Sequence, residues 1–164
     1  LNAELHRTTP EYGSKGYKSA KVLDRLQARF SGKTILDYGS GKGGLKYHLS
    51  IRAHDKPIYT VFEYEPALGI DERQQCDFVT CRAVLEHVEP ECLDAVLQDI
   101  HRLTLMAAYF SVGTRKSGEY LPDGRNAHQI IESPKWWEAT IRKYFLPFET
   151  SAKGRKFDLL TTPC

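Results

Sequence analysis

The stretch Ile35-Leu36-Asp37-Tyr38-Gly39-Ser40-Gly41-Lys42-Gly43-Gly44 decides how this chain is read. Apolar residues lead into an acid. Four glycines follow within six positions, and Leu45-Lys46-Tyr47-His48-Leu49 continues in a helix-compatible pattern. The pattern predicts a buried strand feeding a glycine turn at a helix N-terminus. Backbone N–H groups point outward there, and a ligand can lie against the main chain. An ordinary strand-to-helix turn needs only one glycine.

Upstream, Ala20, Leu23, Leu26 and Phe30 recur at helical spacing with Lys and Arg between them. This predicts an amphipathic helix over 17–30, ended by Gly32. Residues 1–16 carry Thr8, Thr9, Pro10, Gly13, Ser14 and Gly16 and are expected to form a loop. Downstream, a helix is expected over 43–51 and a turn at Asp55-Lys56-Pro57. Ile58 to Tyr64 is rich in β-branched and aromatic residues and reads as the second strand, closed by Glu65-Pro66. Asp77 to Cys81 reads as a further strand. Pro90 opens a helix with the stripe Leu93, Val96, Leu97, Ile100 and Leu103. Ala107 to Val112 is another strand.

Residues 113–132 are polar, and their length is unusual for an idle connection, so a lid or binding loop is expected there. Ser133 and Pro134 then cap and open a helix carrying Trp136, Trp137, Ile141, Tyr144 and Phe145. Both indoles are expected in the core. Phe148–Thr150 and Phe157–Thr162 predict a closing hairpin around Lys153-Gly154-Arg155. Strands alternating with helices give an α/β class: a mainly parallel sheet, helices on both faces, and an antiparallel C-terminal strand. Ligands of such sheets sit at the carboxyl ends of the strands.

The length of 164 residues suits one domain, 1–164, with a real core. No apolar run approaches a membrane span, and no charged-then-apolar leader opens the chain. Cys76, Cys81, Cys92 and Cys164 form no disulfide framework, and Cys76-x4-Cys81 lacks a second ligand pair for zinc. A reducing, cytoplasmic setting is expected. Charge is uneven: residues 1–56 hold eleven Lys/Arg against five Asp/Glu, and residues 63–99 hold two against ten. The basic part is suited to a phosphate-bearing partner.

Several nucleotide-type ligands compete for the glycine turn. No Gly-Lys-Ser/Thr follows, so it is not a P-loop. Gly39, Gly41 and Gly44 satisfy the dinucleotide pattern G-x-G-x-x-G. A dinucleotide would present its pyrophosphate here, and Asp37 opposes that. A cationic ammonium, such as the methionine part of S-adenosylmethionine, would welcome the acid. Glu65, at the end of the second strand, is placed to accept both ribose hydroxyls of an adenosine-type ligand. It lies a little beyond the usual spacing of about 20 residues.

Three runs in order resemble successive motifs of class I S-adenosylmethionine-dependent methyltransferases: Asp37 to Gly43, Tyr64-Glu65-Pro66-Ala67, and Cys76 to Val88. The later stretch Leu121 to His128, with Trp136-Trp137, resembles small methyltransferases common in bacteriophage genomes. The resemblance implies a Rossmann-like fold. It implies that Asp37, Gly39, Ser40, Gly41 and Gly43 hold the methionine end of the cofactor. Tyr64, Glu65 and Pro66 would hold the ribose, and Cys81, Arg82 and Ala83 would line the methyl-donor site. Ala83 stands where the family pattern has Asp. Only a short segment separates Ala67 from Asp77, so a regular third strand and its adenine-contacting acid are shortened or absent, with Asp71 as stand-in.

His87 and His128 are the expected catalytic residues, His128 the stronger because of its place in the long loop beside Asn126. His6, His48, His54 and His101 show no ligand spacing, and no metal is expected. The expected acceptor is a small molecule or a nucleotide. Nucleic acid remains an alternative through Lys42, Lys46, Arg115, Lys116 and Arg125. A cofactor-binding accessory subunit and, more remotely, an NAD(P)-binding oxidoreductase are the other readings. The sequence leaves oligomeric state open.

Overall fold

The computed structural model describes residues 2–52 and 58–164. The expected Asp55-Lys56-Pro57 turn and His54 lie outside the described residues. Five helices are formed among them: α1 (Asn2–Thr8), α2 (Ala20–Phe30), α3 (Gly44–Ser50), α4 (Leu93–Leu103) and α5 (Pro134–Ile141). The strands are β1 (Thr34–Tyr38), β2 (Thr60–Glu65), β3 (Ile70–Asp71), β4 (Cys76–Arg82), β5 (Thr104–Gly113), β6 (Phe145–Lys153) and β7 (Lys156–Pro163). They build one sheet in the order β3-β2-β1-β4-β5-β7-β6. The β2–β1–β4–β5 pairs are parallel, while β7 runs antiparallel to both β5 and β6. The mainly parallel, Rossmann-like sheet with an antiparallel C-terminal strand is therefore present as expected.

Alternation along the strands assigns each side chain to one of two cores. Ile35 and Phe78 face one side, where they pack with Leu23 and Leu26 of α2 and Leu45 of α3. Leu36 and Val79 face the other, with Leu97 and Ile100 of α4 and Trp137 and Ile141 of α5. The predicted α4 stripe is therefore a core stripe. Ser133 caps α5, its hydroxyl accepting the Trp136 N–H at 3.3 Å. Of the two indoles only Trp137 is fully buried; Trp136 is 37% exposed, because the next position on a helix points away from the sheet.

Three local expectations change. The segment 1–16 is not a plain loop: α1 occupies Asn2–Thr8, and Leu5 is buried with Leu121 and Ala127 of the long loop. α5 stops at Ile141, so Tyr144 and Phe145 lie beyond it and Phe145 opens β6, whereas the third strand is shortened as expected, to Ile70–Asp71 paired antiparallel to β2. Ser31, not Gly32, ends α2, in the left-handed conformation with φ 58°. Gly32 is needed for packing instead. A Cβ there would meet Phe78 Cζ at 2.6 Å and Asp77 Cβ at 2.7 Å.

These adjacent positions make opposite predictions. Ser31→Gly removes a left-handed penalty and should stabilise the fold by about 1 kcal/mol. Gly32→Ala overpacks the core against Phe78 and should destabilise it by about 1–3 kcal/mol. Urea unfolding of both variants checks this; equal signs would contradict it.

Candidate active site

The chain runs outward from β1 to β2 and returns to β4 on the other side of β1, so the switch point lies at the carboxyl ends of these strands. A cavity of about 880 Å³ opens there. Asp37, Gly39, Ser40 and Gly41 line it from the first strand end, Tyr64, Glu65 and Pro66 from the second, and Arg82 and Ala83 from β4. His87 also reaches it. Gly43, Cys81 and His128 are not among its lining residues. Gly43 is the left-handed N-cap of α3, and Cys81 is buried inside β4.

Asp37 is almost wholly buried. The Thr80 hydroxyl donates to its Oδ1 at 2.6 Å, while Oδ2 has no hydrogen-bond partner. Burial pushes its carboxyl up to about 6, against the pull of the Thr80 bond, and Glu63 and Glu65 push the same way. A buried anion this poorly compensated favours a cationic ligand. Glu65 is better satisfied. Its Oε2 accepts the Gly41 N–H at 3.0 Å and its Oε1 the Ala67 N–H at 3.1 Å. Each carboxylate oxygen keeps a further lone pair for a hydroxyl donor.

The glycine turn serves the protein as much as any ligand. A side chain at Gly39 would overlap Val84, and one at Gly41 would overlap the Gly13 carbonyl. The close approach inferred from sequence is thus partly an approach of the chain's own N-terminal segment. Lys42 fixes that segment: its N–H donates to the Gly13 carbonyl at 2.9 Å, and its Nζ to the Thr9 and Pro10 carbonyls at 3.1 and 2.9 Å. His6 of α1 is thereby buried with Nε2 at 3.8 Å from Glu65 Oε2. Burial holds its pKa below the ordinary value, Glu65 opposing and Lys42 reinforcing the shift. The loop expectation for 1–16 hid His6 and Tyr12, since both reach the cavity only through α1 and the turn after it.

The two expected catalytic histidines come together, with ring centroids 4.8 Å apart in an edge-on arrangement. His87 Nδ1 lies 2.8 Å from the Ala127 carbonyl and His128 Nδ1 lies 2.6 Å from the Arg115 carbonyl. A carbonyl only accepts, so each Nδ1 carries a proton, and the neutral ring of His87 keeps its lone pair on Nε2. Burial, reinforced by the neighbouring His128, pushes His87 down to about 4. The long loop is pinned rather than open. Asn126 Oδ1 accepts the Ser117 and His128 N–H groups at 3.0 and 3.1 Å.

Cations also line the cavity: Lys15, Lys18, Arg82 and Lys156. Partial burial lowers the Lys156 pKa, and the charges of Arg82 and Lys18 lower it further. Lys156 escaped sequence reading because it starts β7, far along the chain from the motifs it joins. The surface cations considered for nucleic acid are differently placed. Lys42 is tied to carbonyls, Lys46 lies 3.3 Å from both Glu63 and Glu72, and Arg125 pairs with Asp123 and Glu89. Asp71, the stand-in acid, pairs with Arg73 at 2.7 Å and is not a lining residue.

A family model described as a methyltransferase domain matches residues 12–145, and the chain belongs to that family. Among curated protein sequences none matches. Solved structures share the fold at low identity. The 1,6-didemethyltoxoflavin-N1-methyltransferase of Burkholderia thailandensis, crystallised with its substrate and S-adenosylhomocysteine, has a TM-score of 0.66 at 14% identity, over 99% of this chain and 85% of that one. DhpI in complex with S-adenosylhomocysteine has a TM-score of 0.65 at 18% identity, over 98% and 94%. The PH0226 protein of Pyrococcus horikoshii has 0.62 at 13% identity, over 98% and 99%. No helix among the described residues is long and apolar enough to cross a membrane.

Asp37 makes a pH prediction for the ligand-free protein. Its folded value of about 6 exceeds the ordinary 3.8, so the folded state holds the proton more tightly. Stability from this group is present at low pH and is lost as pH rises through about 6. Between about pH 4 and pH 7 the stability difference between Asp37→Asn and the parent should move in the variant's favour, by on the order of 2 kcal/mol. Denaturant titrations at several pH values measure it; a constant difference would contradict it.

Proposed function

We propose that this chain is an S-adenosylmethionine-dependent methyltransferase, acting as the single domain its one sheet builds, on a small or nucleotide-type acceptor that bears a negative charge. The observation that carries the reading is the placement of Asp37 and Glu65 on one cavity, from adjacent parallel strand ends, with Asp37 Oδ2 buried and unpartnered. The cofactor's ammonium goes to Asp37, and its methionine chain lies along Gly39 to Gly41. Its ribose hydroxyls donate to Glu65. The adenine goes against Tyr64, Val88 and Val96, which are apolar or aromatic members of the cavity lining. The S-adenosylhomocysteine complexes of structural neighbours support this choice of cofactor.

The methyl sulfonium is an activated donor, so the protein's work is to align, exclude water and accept a proton where needed. The sulfonium carbon would face Arg82, Ala83 and His87. Ala83 is held in a left-handed conformation with φ 55° at this point of the wall. His87, the histidine that reaches the cavity, supplies an Nε2 lone pair for the acceptor's proton, with the His128 ring 4.8 Å away beside it. Lys15, Lys18, Arg82 and Lys156 orient a phosphate or carboxylate of the acceptor. The likeness of Leu121 to His128 to bacteriophage enzymes supports a phage-type enzyme working in a cytoplasm.

Calorimetric titration with S-adenosylhomocysteine tests the cofactor. The parent should bind, and Glu65→Gln and Asp37→Asn should each weaken binding by about 10–100-fold through loss of a charge-assisted bond. No binding to the folded parent would remove the proposal. Once an acceptor is found, Lys156→Met should raise its KM with little change in kcat, as loss of uniform binding requires. An unchanged KM would remove the anionic acceptor.

A further inference from the structure

Glu86, His87 and His128 each bring one ligating atom within 4.8 Å of the other two. Glu86 and His87 occupy the 3-10 turn Leu85–His87 that follows β4, while the long loop delivers His128. Glu86 is 2% exposed. Its Oε1 accepts the Gly113 N–H at 2.7 Å, but Oε2 is buried without a partner. A carboxylate oxygen in that state is costly unless it is protonated or meets a cation. Burial raises the Glu86 pKa, and the Gly113 N–H, His128 and Lys156 act against the rise.

Both imidazoles are held by the backbone through one nitrogen. Each spends its Nδ1 proton on a backbone carbonyl, Ala127 for His87 and Arg115 for His128. That leaves each Nε2 outside these backbone hydrogen bonds. A backbone carbonyl behind each ring is also what fixes the tautomer and orientation of metal-binding histidines. Gly113 makes the approach possible: a Cβ there would stand 2.6 Å from His128 Cε1 and 2.9 Å from Glu86 Oε1.

We infer that Glu86 Oε2 and the Nε2 atoms of His87 and His128 form a binding site for one divalent transition-metal ion. Two imidazoles with one carboxylate select zinc or the iron group over magnesium and calcium, which prefer oxygen alone. Bonds of about 2.0–2.1 Å place tetrahedral ligands about 3.3 Å apart, so small side-chain rotations close the present set. His87 is neutral at pH 7, with its pKa pushed down to about 4 by burial, so no proton must leave it. Three protein ligands leave a coordination position open, and His87 lies on the cavity wall. An ion held by these Nε2 atoms takes that of His87 out of the proton-accepting role proposed above, so the two readings are separate: metal uptake needs neither cofactor nor acceptor, and it stands or falls apart from methyl transfer.

The test uses the whole chain, stripped with a chelator and titrated with Co2+ and then Zn2+. One equivalent of Co2+ should bind with visible absorption bands, and Zn2+ should displace it. His128→Ala and Glu86→Gln, shown to be folded by near-ultraviolet circular dichroism, should each weaken uptake at least about tenfold, and His48→Ala should not. In the parent, Co2+ should shift the imidazole resonances of His87 and His128 but not those of His48 or His101. No uptake by the parent, uptake unaltered by His128→Ala, or resonance shifts confined to other histidines would each overturn the site.

Discussion

The site depends on one costly placement, a carboxylate at position 37 buried at the switch point of a parallel sheet. Strand pairing imposes it. Asp37 lies between Glu63 on β2 and Thr80 on β4 in register, so the sheet itself surrounds the acid. Thr80 satisfies one oxygen and nothing satisfies the other. The backbone carries the charge to the mouth of the cavity because β1 ends there and the glycine turn begins. A fold that needed only stability would place an apolar residue or an amide at this position. Retaining an acid makes sense where a positive group arrives to complete it.

The N-terminal segment completes the enclosure. Lys42 draws the Thr9, Pro10 and Gly13 carbonyls onto the glycine turn, and this seats α1 with His6 beside Glu65. Leu5 in turn packs on Leu121 and Ala127, so α1 and the long loop support each other. The same loop presents His128 to His87 and Glu86. Cofactor cavity, histidine pair and buried glutamate are thus coupled through a small apolar cluster at the edge of the molecule. The cavity carries both signs of charge, acids at the β1 and β2 ends and Lys15, Lys18, Arg82 and Lys156 elsewhere in its lining.

Much of this was legible in the sequence where local rules decide. The strand and glycine turn at 35–44, the α4 stripe, the Ser133–Pro134 cap and the closing hairpin each follow from periodicity or cap chemistry within one element. The shortening of the third strand was legible from the distance between Ala67 and Asp77. What escaped needs tertiary contact. The seven residues of α1 are too few to form a helix on propensity, and Leu5 finds its partners more than a hundred residues away. The role of Gly32 depends on Phe78, and that of Lys156 on Arg82 and Lys18. Glu86 joins the histidines only because the long loop brings His128 to it. The preference for His128 over His87 came from loop position, and the fold brings His87, not His128, to the cavity wall.

A crystal structure of the protein with S-adenosylhomocysteine tests the central claim most directly. The account predicts its ammonium at hydrogen-bonding distance from Asp37 Oδ2, its ribose hydroxyls on Glu65, and its sulfur toward Ala83 and His87. A ligand bound elsewhere, or an ammonium turned away from Asp37, would contradict it.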